Sequence, residues 1–278
     1  MAISEKVELL GGDYYKDSGI PKVLTLTSIP TASELEYVSA EDFDETMIST
    51  ILPKAVEEDV DFNKLLEVDY QWVLRCLRII NYGPYHTTNV IRCPQCGALY
   101  GDFQVNLQAV NCIPLPADFK GEFTIKRDEF IDYQGDIKFK MLTIREALNA
   151  LKDPQFEDKK TKKLDRRLAR LCYSIISMGT DTHLNPVEVR LKILKELSAA
   201  DYVVLEEMSK QLTNYGLRAG GNCTCHQCGN KEAVFIAPVD DRYFRPTLGD
   251  LRTWKADKRR REAEDTARGK TNTVRKHN

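Results

Sequence analysis

Two short cysteine units constrain this chain more than any other feature of it. They read Cys93-Pro94-Gln95-Cys96-Gly97 and Cys225-His226-Gln227-Cys228-Gly229, with 128 residues between Cys96 and Cys225. A two-residue gap turns both sulfurs of one hairpin toward a single point. The Gly that follows allows a left-handed backbone whose amide N–H groups face the thiolates and stabilise their charge. Four thiolates at about 2.3 Å close a tetrahedron around one ion, which suits structural zinc and leaves no position for a water nucleophile. The expectation is one structural Zn2+ per chain held by Cys93, Cys96, Cys225 and Cys228. Such a separation far exceeds that of a compact zinc ribbon, so the ribbon has to be split by an insertion.

The remaining cysteines read differently. Cys76 and Cys172 fall within helical apolar patterns, as small buried hydrophobes do. Cys112 lies in a strand-like stretch without a nearby partner, and Cys223 is the expected spectator of the second cluster. His226, inside the second knuckle, is expected to face solvent. No basic–apolar–small leader opens the chain, since Glu5 and Glu8 interrupt it, so disulfides lose weight and metal binding gains it. A redox role for one pair would want a thioredoxin-like βαβ pattern, which is missing. Covalent haem is excluded because neither pair is followed by His.

The longest apolar runs, such as Tyr202-Val203-Val204-Leu205, are far short of a membrane span. Charge is uneven. Residues 1–62 hold 14 acidic side chains against four Lys, whereas residues 255–278 hold nine Lys/Arg against four acidic groups. That distribution disfavours a global nucleic-acid footprint. No His-Glu-x-x-His, Gly-x-Ser-x-Gly, phosphate loop, dinucleotide fingerprint or deaminase pattern occurs. The four histidines, His86, His183, His226 and His277, lack spaced catalytic companions. The expectation is a protein that is not an enzyme.

Periodicity supplies the organisation. Lys22–Thr27 alternates as a strand. Ser39-Ala40-Glu41-Asp42 opens a helix with Phe43, Met47, Ile48 and Ile51 on one face, which Pro53 interrupts. Asp69 caps the next helix, whose stripe runs Trp72, Val73, Cys76, Leu77 and Ile80 before Gly83 stops it. Strand alternation follows at Phe103/Val105/Leu107, Phe123/Ile125 and Ile137/Phe139/Met141. Thr143-Ile144-Arg145-Glu146 is a capping box, and Asp153-Pro154 ends that helix. Leu164, Leu168, Leu171, Cys172, Ile175 and Ile176 make a long amphipathic stripe ended by Gly179. Asn185-Pro186-Val187-Glu188 opens another helix with the face Val187, Leu191 and Leu194. Ser198 with Asp201 opens a last helix through Tyr202, Leu205, Met208 and Leu212, ended by Gly216. Ala233–Val239 is a strand, and Arg252–Arg268 has helix formers without an apolar face.

The expected fold class is therefore α+β: a split zinc-ribbon-like β module with an inserted helical block and a flexible basic C-terminal tail. Residues 1–92 form a strand-helix region. Residues 93–140 carry the first knuckle and strands, 141–219 the helical insertion, 220–246 the second knuckle and strand, and 247–278 the tail.

Several segments, in order, carry a resemblance. They are Ser18-Gly19-Ile20-Pro21-Lys22-Val23-Leu24-Thr25-Leu26, Ile51-Leu52, Asp59-Val60-Asp61, Leu65-Leu66-Glu67-Val68-Asp69 and Leu77-Arg78-Ile79-Ile80-Asn81-Tyr82-Gly83. The first Cys-Pro-x-Cys-Gly follows, and the second knuckle leads into Asp241-Arg242-Tyr243-Phe244-Arg245-Pro246. Over roughly residues 9–246 the chain is similar to the T4-like bacteriophage baseplate family, which includes baseplate hub assembly proteins of contractile-tailed phages. Cys223 and the basic tail depart from that pattern. The resemblance implies a phage protein made in the host bacterial cytoplasm that helps build the baseplate hub or forms part of it. Its partners would be other baseplate or tail proteins, with a homo-oligomer and residence in the virion left open. The competing reading is a zinc-ribbon nucleic-acid-binding protein of phage transcription or replication. The acidic balance and the absence of basic-aromatic clusters beside the knuckles speak against it.

Overall fold

The computed structural model describes the chain except residues 1–3, 39, 158–162, 211–214, 218–219, 226, 232, 237–243 and 275–278. The chain begins with an antiparallel hairpin, β1 (Ser4–Glu8) and β2 (Val23–Thr27), in which Val7 lies opposite Leu24. Next come α1 (Thr31–Val38), α2 (Phe43–Thr46, capped by the Asp42 carboxylate), a π-turn over Met47–Ile51 and α3 (Leu52–Ala55). Pro53 was expected to interrupt the helix. Instead the helical path runs through it, because Pro53 falls in the first turn of α3, where a missing N–H costs little.

The first core gathers around α4 (Glu67–Tyr82), whose Val73, Leu74, Leu77 and Ile80 are buried against Leu24, Leu26, Ile51 and Leu52. Asp69 does not cap α4. Leu66 holds that place, and the Asp69 carboxylate is buried, accepting from Leu10 N, Gly11 N at 3.1 Å and the Tyr15 hydroxyl at 2.6 Å. A carboxylate within reach of three donors from the lead-in is satisfied by tertiary contacts that a local cap rule does not see.

The strands of the middle are β3 (Tyr85–Arg92), β4 (Leu99–Asn106), β5 (Cys112–Ile113), β6 (Glu122–Ile125) and β7 (Ile137–Lys140). The helical block follows with α5 (Ile144–Lys152) and α6 (Arg166–Ser174), then β8 (Ile175–Met178), β9 (Asp181–Thr182), α7 (Pro186–Glu196) and α8 (Ala199–Ser209). Both capping boxes, Thr143 with Glu146 and Asn185 with Glu188, are formed. The stripe expected to stay helical to Gly179 breaks at Ser174. Ile175 and Ile176 enter β8, which pairs with β7, because β-branched side chains pack well on a pleated surface.

The expected face of α7 is also corrected. Val189 and Ile193 are its buried residues, while Leu191 and Leu194 are exposed. A second core forms here from Ile137, Phe139, Phe156, Cys172, Ile175, Val189 and Leu205 on the sheet β6-β7-β8-β9 and its helices. Backbone bonds from Glu67 N to Leu142 O at 3.0 Å and from Ile144 N to Leu65 O at 2.8 Å tie the start of α5 to the first core. Helix α5 links the two cores by giving Ile144 and Leu148 to the first and Ala150 to the second.

The chain returns through β10 (Gly216–Leu217), which pairs with β5, then β11 (Gly220–Cys223) and β12 (Ala233–Ile236). Phe244 re-enters the first core against Tyr37. The tail is a helix, α9 (Leu248–Val274). This corrects the expectation of a tail that cannot order itself: the Asp250 carboxylate accepts from Thr87 Oγ1 at 2.7 Å and Gln104 Nε2 at 2.9 Å, and Asp257 accepts from the Tyr85 hydroxyl. The start of α9 thus lies on β3 and β4, and contacts the tail lacks on its own come from that sheet. Helices combine with small antiparallel sheets throughout, so the class is α+β. Among the described residues no helix is long and apolar enough to cross a membrane.

Candidate metal centre

The four-stranded antiparallel sheet β11-β12-β3-β4 builds the centre. The β3–β4 hairpin carries the first knuckle at its turn, and β11–β12 carries the second. Phe235 opposite Val90 joins the two hairpins edge to edge. Each knuckle has the same backbone plan. Gly97 N donates to Cys93 O at 2.9 Å and Gly229 N to Cys225 O at 2.8 Å; both glycines sit at φ 72°. Cys93 N donates to Ala98 O at 2.9 Å and Cys225 N to Asn230 O at 2.7 Å. Only glycine holds that left-handed turn without strain, which explains its place after each pair.

The sulfurs meet across the hairpins. Cys93 Sγ lies 3.7 Å from Cys228 Sγ, and Cys96 Sγ lies 3.7 Å from Cys225 Sγ. All four lie within 4.8 Å of one another, with Cys93 and Cys225 buried and Cys96 and Cys228 exposed. Sulfurs of a disulfide stand about 2.05 Å apart. Four thiolates at about 2.3 Å from a shared ion in a tetrahedron stand about 3.8 Å apart. The observed pairs match the second geometry. The cluster could hold a metal ion, and among the described residues no histidine or carboxylate joins it. The side chain of Cys223 and the whole of His226 lie outside the described residues.

Electrostatics agree with an ion-binding set. The backbone N–H of Cys96 leads the effects that lower the Cys93 pKa, assisted by Gln95 N–H and by Asn230 Nδ2, 3.8 Å from its sulfur. At Cys228 the Asn230 N–H favours the thiolate, but the crowding Cys225, Cys96 and Cys93 sulfurs push its pKa up to about 12. Four negative sulfurs this close repel one another unless a cation sits among them. Thiols outside the cluster are of another kind: burial pushes Cys76 and Cys172 each up to about 12, as expected of packed, unreactive side chains.

Sequence reasoning passed over the two arginines that anchor the first hairpin. Arg78, fully buried on α4, donates to Gly83 O at 2.9 Å and Tyr85 O at 2.8 Å where β3 begins. Arg75, one turn earlier, donates through Nε to Leu107 O at 2.8 Å and through Nη2 to Val110 O at 3.3 Å just past the end of β4. Together they clamp both ends of the knuckle-bearing hairpin to the first core. Their signal in the sequence was two cations inside the apolar run Leu74–Ile80, a place where arginine needs fixed acceptors. Asn230 was missed as well; it stands directly after the second knuckle's Gly, where Ala98 follows the first. Of the other histidines, His86 is buried on β3, His183 is exposed with φ 55°, and His277 lies outside the described residues.

Comparison of the chain with family models, curated proteins and solved structures returned no match.

Proposed function

We propose that this chain is a non-enzymatic assembly protein of a contractile phage tail, acting in or on the baseplate hub, in which a structural zinc ion ties two distant segments into one sheet. The observation that carries the reading is the cross-hairpin pairing of Cys93 with Cys228 and of Cys96 with Cys225, each at 3.7 Å. A ligand set shared between two hairpins holds them in one register, and four sulfurs fill a tetrahedral ion, leaving no coordination site for a substrate. Soft sulfur donors in that geometry suit zinc, with a single iron as the chemical competitor. The phage and baseplate assignment rests on the ordered motifs between residues 9 and 246.

Two measurements test the reading. Elemental analysis of gently purified protein should return one zinc and no iron per chain; absence of metal overturns the ion. A stop codon placed early in the reading frame should yield tails without complete baseplates by electron microscopy. Normal contractile tails from that mutant overturn the assembly role.

One observation favours the nucleic-acid alternative. Lys258, Arg259, Arg260 and Arg261 form an exposed basic run on α9. Phosphate neutralisation by such a run predicts binding that falls steeply with salt. Tight, salt-sensitive retention of duplex or single-stranded nucleic acid would favour that alternative over the assembly role.

A further inference from the structure

Helix α7 carries two apolar stripes, and the fold uses only one. Val189 and Ile193 are buried in the second core. Val187, Leu191 and Leu194 recur at i, i+4 and i+7 on a face about 150° away, on a helix that turns about 100° per residue. Leu191 is 48% exposed and Leu194 66%. That spacing is the seam of paired helices, and leaving it in water forgoes apolar burial.

The charges beside the stripe specify an occupant. Glu188 and Lys195 lie on the same flank, seven residues apart, and neither has an ion-pair partner among the described residues. The Glu188 carboxylate accepts from Asn185 N at 2.8 Å and stays exposed. On the opposite flank Arg190 is drawn inward, stacked over the Phe156 ring at 5.5 Å and donating to Gln155 O, so it does not cross the seam. Lys192 is committed to Asp181 and to Glu196 at 2.9 Å.

We propose that this face binds a second copy of the same chain by antiparallel pairing of α7 with α7 about a two-fold axis between Leu191 and Lys192. In that arrangement Val187, Leu191 and Leu194 of one copy interleave with the same residues of the other. Residues whose numbers are symmetric about the axis oppose each other, so each Glu188 meets the other copy's Lys195 and two attractive pairs form. A two-fold interface is self-complementary by construction, and one acidic and one basic position equidistant from the axis meet that requirement. One helix pair of three turns gives a small interface, so the association is expected in the micromolar range.

Sedimentation velocity of the full chain, from about 1 to 200 μM, tests this around the micromolar affinity expected. Wild type should shift from monomer to dimer, and Leu194→Glu should remain monomeric at every concentration. Glu188→Lys and Lys195→Glu should each weaken the dimer by about tenfold, because each sets two like-charge pairs across the axis. Mixed in equal amounts, those two variants should dimerise together as well as wild type, since each heterodimer restores two opposite pairs. Glu188→Gln, which keeps the cap to Asn185, shows whether loss of charge rather than of the cap is responsible. A monomeric wild type, an undiminished Leu194→Glu dimer, or a mixture no tighter than its components overturns the proposal.

Discussion

Trp254 of α9 lies directly over Gly83, the residue that ends α4. Gly83 sits at φ 77°, and a Cβ placed there would come within 2.4 Å of the indole Cγ, closer than any side chain allows. One glycine thus serves two ends: it takes the left-handed turn that stops α4, and it is the floor on which the tail helix rests. The residues once expected to dangle are held by the same hairpin base that Arg78 grips.

Removing that contact should destabilise the body of the protein. Trp254→Ala is expected to cost about 2 kcal/mol through lost packing against Gly83. Truncation after Pro246 should cost more, because it also strips Asp250 from Thr87 and Gln104. Thermal unfolding checks both; a truncated protein melting with the full chain would show that α9 contributes nothing to the fold.

The arginine clamp gives a second expectation. Arg78→Met leaves the Gly83 and Tyr85 carbonyls without their buried donor and should cost about 3 kcal/mol. Arg75→Met should act in the same direction at Leu107 and Val110. Because both hold the hairpin that bears Cys93 and Cys96, transfer of the bound ion to a colorimetric chelator should also be faster. Unchanged transfer would separate the clamp from the metal centre.

At the centre itself, Cys93→Ser, Cys96→Ser, Cys225→Ser and Cys228→Ser should each reduce metal content strongly and lower the melting temperature. Removal of the ion by chelation should reproduce the loss in wild type, and Cys223→Ser should leave content intact. Full metal content in Cys225→Ser would instead make Cys223 a ligand.

Acid provides a fourth expectation. Asp201, buried at the start of α8, accepts from Ile131 N at 2.6 Å and Tyr133 N at 2.9 Å, and from the Ser198 hydroxyl at 3.1 Å. Burial opposes its charge, but those backbone donors win and hold its pKa below the ordinary value. A depressed carboxylate stabilises the fold above its unfolded pKa of about 4, and that contribution disappears as pH falls through the folded value. Asp201→Ala should therefore lower the melting temperature by roughly 5 °C or more near pH 7, with the gap narrowing in acid. Asp69 carries the opposite sign. Burial outweighs its three donors and raises its pKa, so its contribution declines as pH rises past the unfolded value toward the folded one. Differential melting curves of Asp69→Asn and wild type between pH 3 and pH 7 should show that opposite slope.

Elements whose cause is local could be read from the residues. Thr143 with Glu146 and Asn185 with Glu188 close their capping boxes because donors and acceptors stand three residues apart. Alternation placed Val23–Thr27, Phe123/Ile125 and Ile137/Phe139 in strands, and Gly83 stopped α4. Residues that answer to distant partners misled local reasoning. Asp69 looked like a cap and proved to be an internal anchor for Leu10, Gly11 and Tyr15. Ile175 and Ile176 continued a helical stripe until β7 offered them a strand to pair with.

What the sequence determined by itself was short in range: the caps, the alternating strands, and the two Cys-x-x-Cys-Gly turns, because backbone geometry and hydrogen bonding within about four residues decide them. What only the tertiary structure decided was which surfaces meet. It brought Cys93 to Cys228, and Cys96 to Cys225 across 128 intervening residues, chose Val189 and Ile193 over Val187, Leu191 and Leu194, and seated Trp254 on Gly83. Burial is a property of pairs of surfaces, and a side chain's own periodicity states that it can be buried but not against what.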